Sequence, residues 1–198
     1  YPTSDVNVRK AIAYIIDKAQ IAPVSEPGMV KGDEYAVALP PSVRDKYLSK
    51  DFLNSLENYD INLEKAEEYL EEAGWKKQGN QWVDKDGNSP EIIVAGVGEY
   101  PAYVVIGEAA ANMMKDFGLN AVFTPKEAAA YNDYATSGQG HMVIDGFGSA
   151  TNTQHPYEAY DGIWWYGKRG MNLKFPEKGG LVFKNDETGE DFKYSEKQ

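Results

Sequence analysis

The side chains that carry most enzyme chemistry are scarce in this chain. It holds two histidines, His141 and His155, and no cysteine. Thiolate catalysis, disulfides and Cys-based zinc or iron-sulfur centres are therefore excluded. The histidines show no H-E-x-x-H spacing, and a zinc site needs three or four ligands. Gly96-Val-Gly98 and Gly146-Phe-Gly148 each begin a G-x-G-x-x-G fingerprint. Pro101 and Thr151 occupy the third glycine position, so neither completes it. There is no Walker loop and no G-x-S-x-G elbow. Asp84-Lys-Asp86-Gly87-Asn88 invites a calcium reading, but an EF-hand loop needs glycine sixth and glutamate twelfth. Here glycine is fourth and Ala95 is twelfth, so the segment reads as a turn, as does Asn185 to Asp191. Glu64, Glu67, Glu68, Glu71 and Glu72 read as a solvated helix face. Nothing specific points to paired-carboxylate glycosidase chemistry. No cofactor, metal or catalytic residue is expected.

Two segments suit binding. Gly146-Phe-Gly-Ser-Ala-Thr-Asn-Thr-Gln-His-Pro-Tyr157 is rich in small, hydrogen-bonding side chains and directly follows an apolar strand-like run. In open α/β sheets ligands bind beyond the carboxyl ends of strands. That rule selects this segment and Gly96-Val-Gly-Glu-Tyr-Pro101. Gly146 and Gly148 would let backbone approach a ligand closely. The candidate ligand contacts are Gly146, Phe147, Gly148, Ser149, Asn152, Thr153, Tyr157, Trp164 and Trp165. Tyr160 and Tyr166 are nearby in sequence. Flat aromatic faces suit sugar rings or apolar peptide side chains. The competing reading makes Trp164 and Trp165 core, or an interface against another lobe.

The elements that must position these segments follow from hydrophobic spacing. Val8, Ile12, Ile15, Ile16 and Ala19 fall on one face of a single helix over 5–21, with Asp5 or Ser4 as its cap. Residues 22–60 hold four prolines and weak periodicity, which predicts an irregular excursion. Asn62 caps a second helix with Leu63, Ala66, Leu70 and Ala73 as its stripe. Gly74 and Trp75 provide a Schellman-type end. Trp82-Val83, the 84–88 turn and 91–95 read as a hairpin. Then come a strand at 92–94, a helix at about 102–117 stopped by Gly118, a strand at 121–123 ended by Pro125, a helix at 127–136 and a strand at 142–144. This alternation predicts a β-α-β-α-β core with a mainly parallel sheet and right-handed crossovers. Phe183 and Phe192 flank a final hairpin, within a peripheral tail at 181–198.

The chain has 198 residues, 42% of them apolar, and a net charge of -11. It is therefore a folded protein whose acidity repels nucleic acid and anionic membrane. No run of 18 apolar residues spans a membrane. It begins at Tyr1 without a signal peptide, which predicts a fragment of a longer protein.

Several blocks resemble, in order, the extracellular solute-binding proteins of the oligopeptide/dipeptide-binding type. Asp5-Val-Asn-Val-Arg-Lys-Ala-Ile-Ala-Tyr-Ile-Ile-Asp17 is similar to that family's V-R-x-A-(I/L)-A-x-(A/I)-I-D signature. Tyr59 through Trp75 resembles Y-D-x-x-K-A-x-x-L-L-x-E-A-G-W. Trp82 to Asn88 is similar to W-x-D-x-D-G, and Met114 to Asn120 to L-x-x-(I/L)-G-(I/L)-x-V. The resemblance implies one α/β lobe of the type II periplasmic-binding-protein fold, over 1–198, with its second lobe missing. It implies capture of short peptides or oligosaccharides for the membrane permease of an ABC importer. The place implied is extracytoplasmic, either periplasmic or as a cell-surface lipoprotein. In peptide binders the loop after the third strand reads G-W-x-x-D-x-x-(D/E)-P, its Asp anchoring the peptide amine. Here Phe147 replaces the Trp and Asn152 is the nearest counterpart of the Asp, which weakens that anchor. His155-Pro-Tyr157 with Tyr160 is closer to the T-P-Y-x-x-Y of oligosaccharide-binding members. Peptide and sugar stay level. A carbohydrate-active or other hydrolytic enzyme, and a ligand-sensing receptor module on the same fold, are the rival readings.

Overall fold

The computed structural model describes residues 2–29, 31, 35, 37, 39, 41–137, 139–146, 182–184 and 191–193. Three parallel strands form the central sheet: β3 (Ile92–Val97) lies between β4 (Ala121–Lys126) and β5 (Met142–Val143). Helix α6 (Pro101–Phe117) joins β3 to β4, and α7 (Ala128–Thr136) joins β4 to β5. Side chains alternate across β3. Ile92 and Val94 enter one core with Met114 and Phe117 of α6. Val97 enters another with Tyr131 and Ala135 of α7. The sheet thus has a helix on each face, as continuous burial along β3 requires.

Amino-terminal helices thicken the α6 side. Helix α1 (Val6–Ile15) starts at Asp5, whose side chain accepts the Asn7 N–H, and buries Val8, Ile12 and Ile15 as expected. It packs on α5 (Leu63–Glu72), which begins where Asn62 accepts the Lys65 N–H. The end of α5 is a Schellman motif: Trp75 N–H donates to the Leu70 carbonyl and Gly74 N–H to that of Glu71. Gly74 has φ +83°, and the following Trp75 is buried.

Five expectations need correction. The helix at 5–21 is broken, because Asp17 accepts the N–H groups of Ala19 and Gln20 and starts a separate α2 (Lys18–Ser25). A new cap changes the helix phase, so Ala19 is exposed instead of joining the Val8 stripe. The 22–60 stretch is not wholly irregular. It contains the end of α2 and two short helices, α3 (Pro41–Tyr47) and α4 (Lys50–Ser55), the latter capped by Ser49. Leu63, at the first position of α5, is 47% exposed because the stripe becomes buried only from Ala66. The hairpin at 82–95 does not form. β2 (Gln81–Val83) pairs backward with β1 (Lys76–Gln78) through Gly79-Asn80, and β3 is taken into the parallel sheet. The turn at 84–88 remains, with the Asp84 carboxylate accepting the N–H groups of Asp86 and Asn88. Finally, β4 runs through Pro125 to Lys126. Asn120 and Lys126 give their carbonyls to Ile92 and Gly98, so even-numbered residues of β4 turn toward β3. Pro125 turns outward on an edge strand of this sheet, where its missing N–H costs no ladder bond.

β6 (Val182–Lys184) and β7 (Asp191–Lys193) form the expected antiparallel hairpin. Among the described residues, no helix is long and apolar enough to cross a membrane.

Candidate ligand-binding rim

The carboxyl ends of β3, β4 and β5 form one rim, and three segments meet there. Beyond β3, the exposed Gly98 passes its N–H to the Lys126 carbonyl at 2.8 Å, tying the β3 and β4 ends together. A Cβ on Gly98 would lie 3.2 Å from that of Pro125, which favours glycine there. Glu99 follows, and both its carboxylate oxygens accept the Ala128 N–H, at 3.0 and 3.1 Å. A negative charge at the amino end of α7 is where the helix dipole favours it. Tyr100 comes next, 53% exposed, with Tyr103 edge-on to it at 5.4 Å between ring centroids. Pro101 then starts α6 at its most tolerant position.

Beyond β5, Ile144 is buried and donates its N–H to the Ala95 carbonyl at 2.7 Å. Its own carbonyl receives the Tyr131 hydroxyl at 2.9 Å, fixing α7 to the strand end. Asp145 is half-buried and accepts the Gly146 N–H at 2.7 Å. Burial pushes its carboxyl above the usual aspartate range, and the Gly146 amide pulls it partly back. The Tyr103 hydroxyl lies 3.2 Å from where a Gly146 Cβ would stand, linking the β3 and β5 sides of the rim. At the end of β4, the Lys126 ammonium sits 4.1 Å from the Tyr134 ring centroid. Burial raises the Tyr134 hydroxyl's pKa, so it stays neutral.

This rim can receive hydrogen-bond donors on a desolvated carboxylate and a flat apolar face on Tyr100. It contains no nucleophile–base pair among the described residues. Among the described residues no group of three or more His, Asp or Glu side chains could hold a metal ion.

Of the residues expected from sequence to bind ligand, Gly146 stands on this rim. Phe147, Gly148, Ser149, Asn152, Thr153, Tyr157, Trp164 and Trp165 lie outside the described residues, as do His155, Tyr160 and Tyr166. The segment Gly96 to Pro101 is at the rim as expected. Asp145 and Tyr103 were missed. The strand-end rule could have found Asp145, which lies one residue beyond the strand expected at 142–144. Tyr103 falls inside the helix expected at about 102–117 and carried no signal of its own.

A second polar cluster lies elsewhere. Glu57 bonds Lys10 at 2.8 Å and accepts the hydroxyls of Tyr14 at 2.9 Å, Tyr59 at 3.3 Å and Tyr69. The Lys10 and Tyr69 bonds hold the Glu57 carboxyl down at about 2. Its acceptors are occupied, so it clamps the 57–59 turn onto α1 and α5. A groove of about 420 Å³ runs between α6 and β4, with Glu108, Asn112 and Lys115 on one wall and Phe123 on the other.

Comparison with known proteins points one way. Residues 1–167 match the family model for bacterial extracellular solute-binding proteins, family 5 Middle. No curated protein matches by sequence. A periplasmic oligopeptide-binding protein from Thermotoga maritima with mannohexaose bound is similar over 83% of this chain. Its TM-score is 0.64 at 19% identity, and 31% of its own length is covered. NikA from Brucella suis with Fe(III)-EDTA gives TM-score 0.57 at 21% identity, covering 83% of this chain and 34% of its own. The oligopeptide-binding protein AppA from Bacillus subtilis, with a nonapeptide, gives 0.55 at 20%, covering 69% and 26%. The chain therefore spans about a third or less of the length of these structures. At such identities the likeness concerns the fold.

Proposed function

The chain belongs to the bacterial extracellular solute-binding proteins of family 5, and from that premise we propose that it is one α/β lobe of the capture subunit of an ABC importer. The family match over residues 1–167 carries this reading. The solute is a short peptide or an oligosaccharide, held between this lobe and a second lobe of the same protein. The loaded protein would deliver it to a membrane permease from outside the cytoplasmic membrane. The chain has no catalytic activity of its own.

The rim supports this reading. It is an edge of strand ends with exposed backbone at Gly98, the exposed face of Tyr100 and the half-buried carboxylate of Asp145. The segment that continues from Gly146 is proposed to add the remaining contacts. These are Phe147, Gly148, Ser149, Asn152, Thr153 and Tyr157, with Trp164 and Trp165 beyond.

A thermal-shift screen of the full-length protein against short peptides and oligosaccharides tests the proposal. A ligand that binds only the native state raises Tm by mass action. The expected result is a rise with one ligand class and quantitative recovery of that ligand intact. Sustained product formation would replace the binding role with an enzymatic one.

A further inference from the structure

We propose that Asp145, Tyr100 and Tyr103 form a sugar-ring subsite on the rim, Asp145 accepting ring hydroxyls while Tyr100 takes the ring's apolar face. This rests on the solute-binding reading above and names the ligand class for it.

Tyr100 and Tyr103 follow the central strand β3 and Asp145 follows its neighbour β5, so the three meet at adjacent strand ends. Tyr100 meets Tyr103 edge-to-face at 5.4 Å. The Tyr103 hydroxyl lies 3.2 Å from where a Gly146 Cβ would stand. Gly146 N–H holds Asp145 at 2.7 Å. Tyr103 lies between Tyr100 and Gly146, and Tyr100 keeps more than half its surface exposed. A Cβ on Gly146 would crowd the Tyr103 hydroxyl, which gives that glycine a role in the subsite.

Asp145 is half-buried and, among the described residues, has one hydrogen bond and no cation. Burial also raises its carboxyl's pKa. A desolvated carboxylate with spare acceptor capacity gains most from a ligand that brings donors. Vicinal hydroxyls and an ammonium both qualify, and the surroundings separate them. Lys126, at the end of β4, is stacked on Tyr134. Glu99 spends its charge on the amino end of α7. The N-cap residue Tyr100 makes no side-chain cap bond to the amino end of α6, whose positive dipole end also faces the rim. Asp145, Glu99 and Glu127 are all carboxylates of this rim, so charge alone does not choose between the two, and the flat exposed face of Tyr100 favours a ring. The aromatic next to the carboxylate completes a complement to a pyranose: a C–H face for the ring and an oxygen edge for its hydroxyls.

The test is calorimetry on the full-length protein with mannohexaose, cellohexaose, maltohexaose and a nonapeptide. Wild type is compared with Tyr100→Ala, Asp145→Ala and Asp145→Asn. One hexasaccharide should bind, with Tyr100→Ala and Asp145→Ala each weakening it at least tenfold. Asp145→Asn should retain part of that affinity, because an amide oxygen still accepts a hydroxyl. The melting temperature of each ligand-free variant shows that it is folded. If Asp145→Ala proves unstable, Tyr100→Ala, at an exposed ring, carries the test alone. A hexasaccharide whose affinity is the same in wild type and Tyr100→Ala overturns the subsite. Binding of the nonapeptide alone, abolished by Asp145→Asn, overturns the sugar assignment in favour of an ammonium anchor and leaves the solute-binding reading standing. Binding of none of the four probes counts against both.

Discussion

At the scale of single residues, pH is the most direct probe. His141, at the amino end of β5, uses Nδ1 to accept the Ile93 N–H at 2.9 Å. That bond needs a neutral imidazole, with the proton on Nε2. Burial holds its pKa below the usual histidine value. The unfolded chain therefore takes up the proton first. The stability this group contributes is intact above about pH 6.5 and is lost as pH falls through the folded-state value. Glu57 behaves alike in a lower window. Its carboxyl titrates near 2 in the fold against 4.5 as an ordinary carboxyl. Its contribution is present above pH 4.5 and is lost on the way down to 2. Melting temperature plotted against pH should therefore fall in two stages. His141→Gln should flatten the upper stage and spare the lower, whereas Glu57→Gln should do the reverse and lower Tm at neutral pH. Indifference of the upper stage to His141→Gln would show that its imidazole is not the titrating group. Glu57 was not legible in sequence, because its partners Lys10, Tyr14 and Tyr69 come from two helices up to 47 positions away. Only the packing of α1 on α5 brings them together.

At the scale of elements, close packing singles out two glycines. Gly118 ends α6 with φ +103°, and a Cβ there would lie 2.4 Å from the Asn80 carbonyl oxygen. Gly118→Ala should therefore cost about 2–4 kcal/mol, from left-handed strain together with a backbone collision. Gly107, in the middle of α6, lets the Phe123 ring approach to 2.2 Å of a would-be Cβ. The colliding partner there is a half-buried ring that can turn, so Gly107→Ala should cost less, about 1–2 kcal/mol. Denaturant midpoints at constant slope measure both, and a larger loss at 107 than at 118 would contradict this ordering. The stop at Gly118, the cap at Asn62 and the Schellman end at Gly74 were readable because each is a local signal a few residues long. α3 and α4 were not, since six or seven residues are too few to show a helical period. The break at Ile16-Asp17 was hidden by an apolar stripe that continues through it. The 82–95 hairpin failed for a different reason: turn chemistry at 84–88 was read correctly, but pairing is decided by β4 and β5, which come 30 to 50 residues later.

At the scale of the whole molecule, the parallel sheet was legible from the alternation of apolar runs with helical spacing. The position of Gly96 to Pro101 and of Gly146 at strand ends was legible from the same alternation. That Tyr103 and Asp145 share the rim was not, because they come close only when β3 and β5 become neighbours. The same geometry limits what the chain can do alone. The rim is one wall, and ligand-binding sites in proteins bury most of a small ligand's surface. The chain spans 31% of the length of the mannohexaose-bound structure it resembles. On the proposed two-lobed reading, it would supply only part of the contacts while the ligand still loses its translational and rotational freedom. Affinity for the isolated 198-residue chain should therefore be at least about a hundredfold weaker than for the full-length protein, a difference of roughly 2.8 kcal/mol. The isolated chain should nonetheless remain folded, since its main core draws on α1, α5, α6 and the sheet together. Calorimetry of both forms with the same ligand, beside a thermal melt of the isolated chain, decides the matter. Equal affinities would mean that the rim and the residues following Gly146 make a complete site without a second wall. A chain that melts without a cooperative transition would mean that the second lobe is needed for folding as well as for binding.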